Sequence, residues 1–254
     1  MKNEKKLFAI DEKEKFTFTK AVYFNFNPVR VKKTWRDATG GFGDFAPMQG
    51  WVRIYDQDGT CGETFCSLGI VNNILPLILT GETKTYGQWY HDIYWKMRNF
   101  GFQSGQIVDL GQLDLIMLDI MARRRHQPLH RFLGAQKDWA AAYKGGGSLL
   151  LTDEELVADM TRYVKEGYKT VKFKIGSDWG KNMARDVKRL AKVRAAVGPD
   201  IEVAVDANQV FTVEEALKFA ELIRPYNPAW FEEPVHSHDM NGIKALREKI
   251  NMKI

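Results

Sequence analysis

Three short runs in the second half of this chain place charge where a buried strand is normally apolar. They are Val171-Lys172-Phe173-Lys174-Ile175, Val203-Ala204-Val205-Asp206-Ala207-Asn208 and Trp230-Phe231-Glu232-Glu233-Pro234. In a strand the side chains alternate between faces, so Lys172 and Lys174 share one face while Val171, Phe173 and Ile175 occupy the other. Two ammonium groups held close depress each other's pKa, which favours a neutral amine able to act as a base. Asp206 ends its hydrophobic run and Asn208 follows on the same face. The Glu232-Glu233 pair follows two aromatics and is closed by a proline. Hard oxygen ligands on neighbouring strands suit Mg²⁺, whose remaining positions are filled by water and substrate oxygens.

These residues are useful only if their strands lie side by side, and the surrounding pattern predicts that they do. From about residue 136 onward, strand-like and helical segments alternate. Strands are expected at Ala140 to Tyr143, Thr170 to Ile175, Ile201 to Asp206 and Ala229 to Glu232. Thr152 with Glu155, and Thr212 with Glu215, read as capping boxes at helix starts. Strands separated by helices imply βαβ units and a parallel sheet. Each unit takes roughly 28 residues, close to the repeat of a (β/α)8 barrel, and barrel sites lie at the C-terminal strand ends. The fold class expected is therefore α/β: an α+β domain over residues 1–135, then about four βα units of a barrel over 136–254, with Asn251 to Ile254 opening a further element. Gly145-Gly146-Gly147-Ser148 lacks the ending of a phosphate-binding loop and reads as a flexible loop at the barrel mouth.

The first 135 residues mix both element types. Phe16 to Phe26 is strand-like, and Trp51 to Tyr55 turns at Asp58-Gly59 and returns through Phe65 as a hairpin. Leu113, Met117, Ile120 and Met121 mark one face of a helix, and Pro128 to Gly134 a short second one. The Gly- and aromatic-rich stretch from Trp35 to Gln49 reads as a loop.

Composition narrows the class further. With 44% hydrophobic and 27% charged residues the chain is globular. No run approaches the ~18 apolar residues of a membrane span, and Ile74 to Leu79 comes nearest. Two cysteines, no secretory core and scattered charge indicate a cytoplasmic protein. The net charge of +5 comes without a basic stripe, so nucleic acid is not an expected partner. Arg123-Arg124-Arg125 sits at a helix end, where cations are favoured. His236-Ser237-His238 lies in a loop and reads as structural or as a substrate edge.

Lys-x-Lys, Asp-Ala-Asn-Gln and Glu-Glu-Pro on consecutive βα units resemble the mandelate racemase and muconate-lactonizing branch of the enolase superfamily. The 26-residue spacing of Asp206 and Glu232 also suits that branch. The upstream Gln112-Leu113-Asp114, Leu118-Asp119-Ile120 and Leu133-Gly134 resemble the end of its capping domain. The resemblance implies a Mg²⁺-dependent lyase or isomerase that removes the proton beside a substrate carboxylate, with an acid-sugar dehydratase favoured over a racemase or cycloisomerase. It implies Lys174 as general base, Lys172 as a partner for the substrate carboxylate, Asp206 and Glu232 as metal ligands, and Asn208 beside the substrate. The capping-domain loop 35–49 would select substrate, with Trp35, Phe42 and Phe45 as candidates. Members carry a third carboxylate ligand on the fifth strand, which this sequence does not reach. The resemblance thus implies a fragment, inactive alone, of an enzyme expected to be a homo-oligomer when full-length. The competing expectation is an incomplete protein with a binding role.

Overall fold

The computed structural model describes residue 10 and residues 12–27, 30, 34–42, 50–100 and 105–254. The chain forms two compact units. One comprises residues 1–29 and 46–140, and the other Arg30–Phe45 with Ala141–Ile254.

The first unit is built on a three-stranded antiparallel sheet of Phe18–Asn25, Gly50–Asp56 and Cys61–Cys66. Alternation in the central strand sends Val52 and Ile54 inward, both fully buried. The expected hairpin forms at Asp58-Gly59, where Asp56 Oδ1 accepts from the amides of Asp58 and Thr60 and Gly59 adopts φ 79°. Helix Gly105–Arg124 lies against this sheet. A Cβ on Gly62 would fall 2.3 Å from the Ile116 carbonyl oxygen, so only glycine permits the approach. Leu110, Leu113, Ile116, Met117 and Ile120 face the core together with Trp89 and Ile93 from helix Tyr86–Met97. Arg124 is not simply solvated at its helix end. It pairs with Asp56, Asp58 and Glu14.

The second unit is α/β with a parallel sheet. Its four strands, Lys144–Gly146, Thr170–Lys174, Glu202–Asp206 and Phe231–Glu232, lie side by side in chain order. Helices Asp153–Lys165, Met183–Val197 and Val213–Ile223 connect them, and Met240–Lys249 follows the fourth. Both predicted capping boxes are present: Thr152 caps with Glu155, and Thr212 with Glu215. The helices bury Leu156 and Met160, Leu190 and Val193, and Phe219 and Ile223 against Val171, Phe173, Val203, Val205 and Phe231. Beyond the last helix, Lys253 forms a parallel bridge to Trp230, so the segment after Asn251 begins to pair with the fourth strand.

Two expectations are corrected. The Gly-rich run is no flexible loop: Lys144–Gly146 is the first strand, beginning later than Ala140. Gly147 is buried at φ 69°, where a Cβ would lie 2.3 Å from Phe173 Cβ, so the glycine answers a close approach of backbones. The stretch from Trp35 is not wholly loop either, since Trp35–Arg36 pairs antiparallel with Gly41–Phe42 around an Asp37 turn. Among the described residues no helix is long and apolar enough to cross a membrane.

Candidate active site

Parallel register sets the level of the charged residues. Asp206 is the partner of Lys174 on one side and of Glu232 on the other, so all three sit in one row across the strand ends. Lys172 lies one pleat below, opposite Ala204. Since Val171, Phe173 and Ile175 fill the helix-facing core, both lysines project from the opposite face, as the alternation predicts.

The side chains converge. Lys172 Nζ donates to Asp206 Oδ2 at 2.9 Å and to Glu232 Oε1 at 2.5 Å, and Lys174 Nζ donates to Asp206 Oδ2 at 2.6 Å. Asp206 is 1% exposed and Lys172 8%, so this is a largely desolvated cluster of two cations and two anions. The expected mutual depression of the lysine pKa values is not what the structure produces at Lys172. Burial opposes its charge, but hydrogen bonds to Glu232 and Asp206 outweigh burial and raise its pKa above the ordinary lysine value. A single carboxylate oxygen, Asp206 Oδ2, accepts from both amines, and its negative charge offsets their mutual repulsion. Burial likewise pushes the Asp206 carboxyl upward, yet the bonds from Lys174 and Lys172 prevail and hold it below the usual range.

Of the other expected site residues, Trp35 lies in the second unit with its ring centroid 5.5 Å from Lys174 Nζ. Asn208 departs from expectation. At φ 47° it has left the strand, so it does not share a strand face with Asp206. Its amide instead donates to Asp206 Oδ1 at 3.0 Å, its side-chain nitrogen lies 3.5 Å from Glu233, and its buried Oδ1 has no partner among the described residues. Phe42 lies in the second strand of the short hairpin, and Phe45 is outside the described residues.

Three residues beside the cluster were not anticipated. Tyr143 places its ring 5.6 Å from Lys172 Nζ and packs edge-on to Trp230. Trp230 Nε1 donates to Glu232 Oε2 at 2.8 Å. Glu233 accepts from Gln209 Nε2 at 3.1 Å, tying the loops after the third and fourth strands together. Trp230 was legible by period 2, being two residues before Glu232 on one strand. Tyr143 was not, because its contacts cross strands. Among the described residues no three His, Cys, Asp or Glu side chains gather as a metal cluster, so Asp206 and Glu232 are a pair without a third ligand. Mg²⁺ is commonly held by one or two carboxylates with water and substrate, and this donor set of hard oxygens fits it.

Residues 155–254 match the family described as enolase C-terminal domain-like. Arabinonate dehydratase of Saccharolobus solfataricus is 32% identical over 181 residues, which cover 70% of this chain and 48% of that enzyme. Residues 155–254 of the chain belong to the enolase C-terminal domain-like family. L-talarate/galactarate dehydratase of Salmonella typhimurium is 28% identical over 166 residues, covering 65% of the chain and 41% of the enzyme. The chain thus spans about half the length of these curated superfamily members. A Streptomyces coelicolor racemase solved with bound magnesium superposes with a TM-score of 0.79 at 21% identity, over 92% of this chain and 67% of that one. At that identity the likeness establishes the fold alone. Other matching relatives are a cycloisomerase and a dipeptide epimerase, so proteins similar to this chain carry out several reactions.

Proposed function

We propose that this chain carries the base and two metal ligands of a Mg²⁺-dependent enolase-superfamily enzyme that removes the proton α to a substrate carboxylate, with acid-sugar dehydration as the overall reaction. In this reading the first unit is the capping domain and the second is the opening four βα units of the barrel. The observation that carries the proposal is the convergence of Lys172, Lys174, Asp206 and Glu232 from three adjacent strands. The dehydratase preference is supported by the two acid-sugar dehydratases among the relatives.

Asp206 and Glu232 would hold Mg²⁺, which when bound supplies positive charge to the substrate carboxylate as negative charge develops there. The chain's own groups divide the remaining work. Lys174 Nζ, 5.5 Å from the Trp35 ring centroid, would be the group that takes the α-proton. Lys172, whose ammonium bonds Asp206 and Glu232, would serve as a counter-charge for the substrate carboxylate. The Trp35 ring face, 5.5 Å from Lys174 Nζ, is within range to attract its ammonium. Asn208, whose amide orients Asp206, would lie beside the substrate.

The test is α-proton exchange. In this reading exchange needs the completed barrel, so arabinonate and galactarate are incubated in D₂O with Mg²⁺ and the chain extended through the remaining barrel strands, and followed by proton NMR. Loss of the α-proton signal is expected, slowed about 10²- to 10⁴-fold or more in Lys174→Ala. Exchange that survives this substitution unchanged rejects Lys174 as base. A second reading, a non-catalytic binding protein, is favoured by the absence of a third carboxylate beside Asp206 and Glu232 among the described residues. Calorimetry with millimolar Mg²⁺ separates the two, since the absence of metal binding supports the second.

A further inference from the structure

The two carboxylates of the cluster are oriented by the same device. Each gives one oxygen to a neutral N–H donor and turns the other toward the ammonium groups. In Asp206, Oδ1 accepts from the Asn208 amide at 3.0 Å, and Oδ2 faces Lys172 and Lys174. In Glu232, Oε2 accepts from Trp230 Nε1 at 2.8 Å, and Oε1 faces Lys172. The inward oxygens are those whose present partners are cations, so another cation could exchange with them. The outer oxygens are held by donors that carry no charge, a backbone amide and an indole N–H, the latter being a donor only.

The tether matters more for Glu232 than for Asp206. The Asp206 side chain is 2% exposed, whereas that of Glu232 is 30% exposed and has one more rotatable bond. Packing alone therefore does not set the direction of the Glu232 carboxylate. Trp230 does, because residues two apart on a strand share a face and its indole is itself braced edge-on by Tyr143 at 5.2 Å.

We propose that Trp230 is a positioning residue for the metal site: its indole N–H fixes the Glu232 carboxylate so that Oε1 is presented, with Asp206 Oδ2, to a divalent cation. This rests on the magnesium reading given above and adds a residue to it. Donors behind ligating carboxylates typically change metal affinity by about 10- to 100-fold.

The experiment titrates the 254-residue chain with Mn²⁺, counting free ion by electron paramagnetic resonance, with Mg²⁺ as competitor. Trp230→Phe is expected to bind at least about tenfold more weakly than the parent, with an unchanged melting temperature. A chain carrying β-(3-benzothienyl)alanine at position 230 keeps the bicyclic shape and lacks the N–H, and it is expected to show the same loss even if the phenylalanine variant folds poorly. Equal affinity of the parent and the benzothienyl chain overturns the role of Trp230 while leaving the magnesium reading intact. No saturable binding by the parent overturns both.

Discussion

Lys172 sits where two carboxylates need a cation, and its removal exposes the balance of the cluster. Asp206 is almost wholly buried, and a buried carboxylate that loses a partner typically costs about 3–5 kcal/mol. Lys174 remains bonded to Asp206, so Lys172→Met is expected to destabilise the second unit by about 3 kcal/mol, the lower end of that range, measured by urea unfolding. A loss below about 0.5 kcal/mol, the scale of ordinary surface substitutions, would mean that the cluster is hydrated and its attraction screened. In the first unit, Glu63 offers a cleaner pH test. The Arg53 guanidinium at 2.6 Å, helped by Arg123 and Trp51, overcomes partial burial and holds its carboxyl at about 2. A depressed folded pKa contributes stability above the unfolded value of about 4.3, lost as pH falls through the folded one. Glu63→Gln should therefore be less stable than the parent at pH 7, with the gap closing between about pH 4 and pH 2 in urea titrations. That Lys172 and Lys174 share a face was legible from alternation. That the charge of Lys172 is sustained was not, because its compensating carboxylates lie 34 and 60 residues away.

At the scale of elements, helix starts were the most legible features, since a capping box is a local bond between residues three apart. Thr212→Ala removes the acceptor for the Glu215 amide and the donor to its carboxylate, and is expected to cost about 1 kcal/mol in urea unfolding. The Gly-rich run was read wrongly for an equally physical reason. Glycine signals permissive backbone, but flexibility and close approach have the same signature in sequence. Gly147→Ala would set a Cβ 2.3 Å from Phe173 Cβ at a positive φ, which forces the first and second strands apart. Since Phe173 lies between Lys172 and Lys174, this substitution should disturb both lysines. Loss of cooperative unfolding of the second unit in near-ultraviolet circular dichroism is the expected outcome, and a sharp native-like transition would argue against it.

The whole chain is not partitioned in sequence order. Residues 30–45 leave the first unit's sequence and join the second, where the Arg36 amide donates to Ser148 Oγ at 2.9 Å and the Leu149 amide donates to the Arg36 carbonyl at 2.9 Å. Ser148 is held in turn by the buried Arg189, which donates to the Ser148 and Leu151 carbonyls. Ser148→Ala is thus expected to speed hydrogen exchange at the Arg36 amide while amides of Gly50–Asp56 keep their protection. Unchanged exchange at Arg36 would show that the hairpin holds without this bond. Alternation, helix caps and the three charged runs are properties of a few consecutive residues, so the sequence alone determined which faces are charged, where helices begin and that strands alternate with helices. The common level of Lys174, Asp206 and Glu232, the indole behind Glu232, and the placing of Trp35 over Lys174 depend on register between strands and on bonds spanning up to 112 residues. Those relations are settled only when distant segments pack, since no local preference encodes which residue of one strand lies opposite which residue of the next.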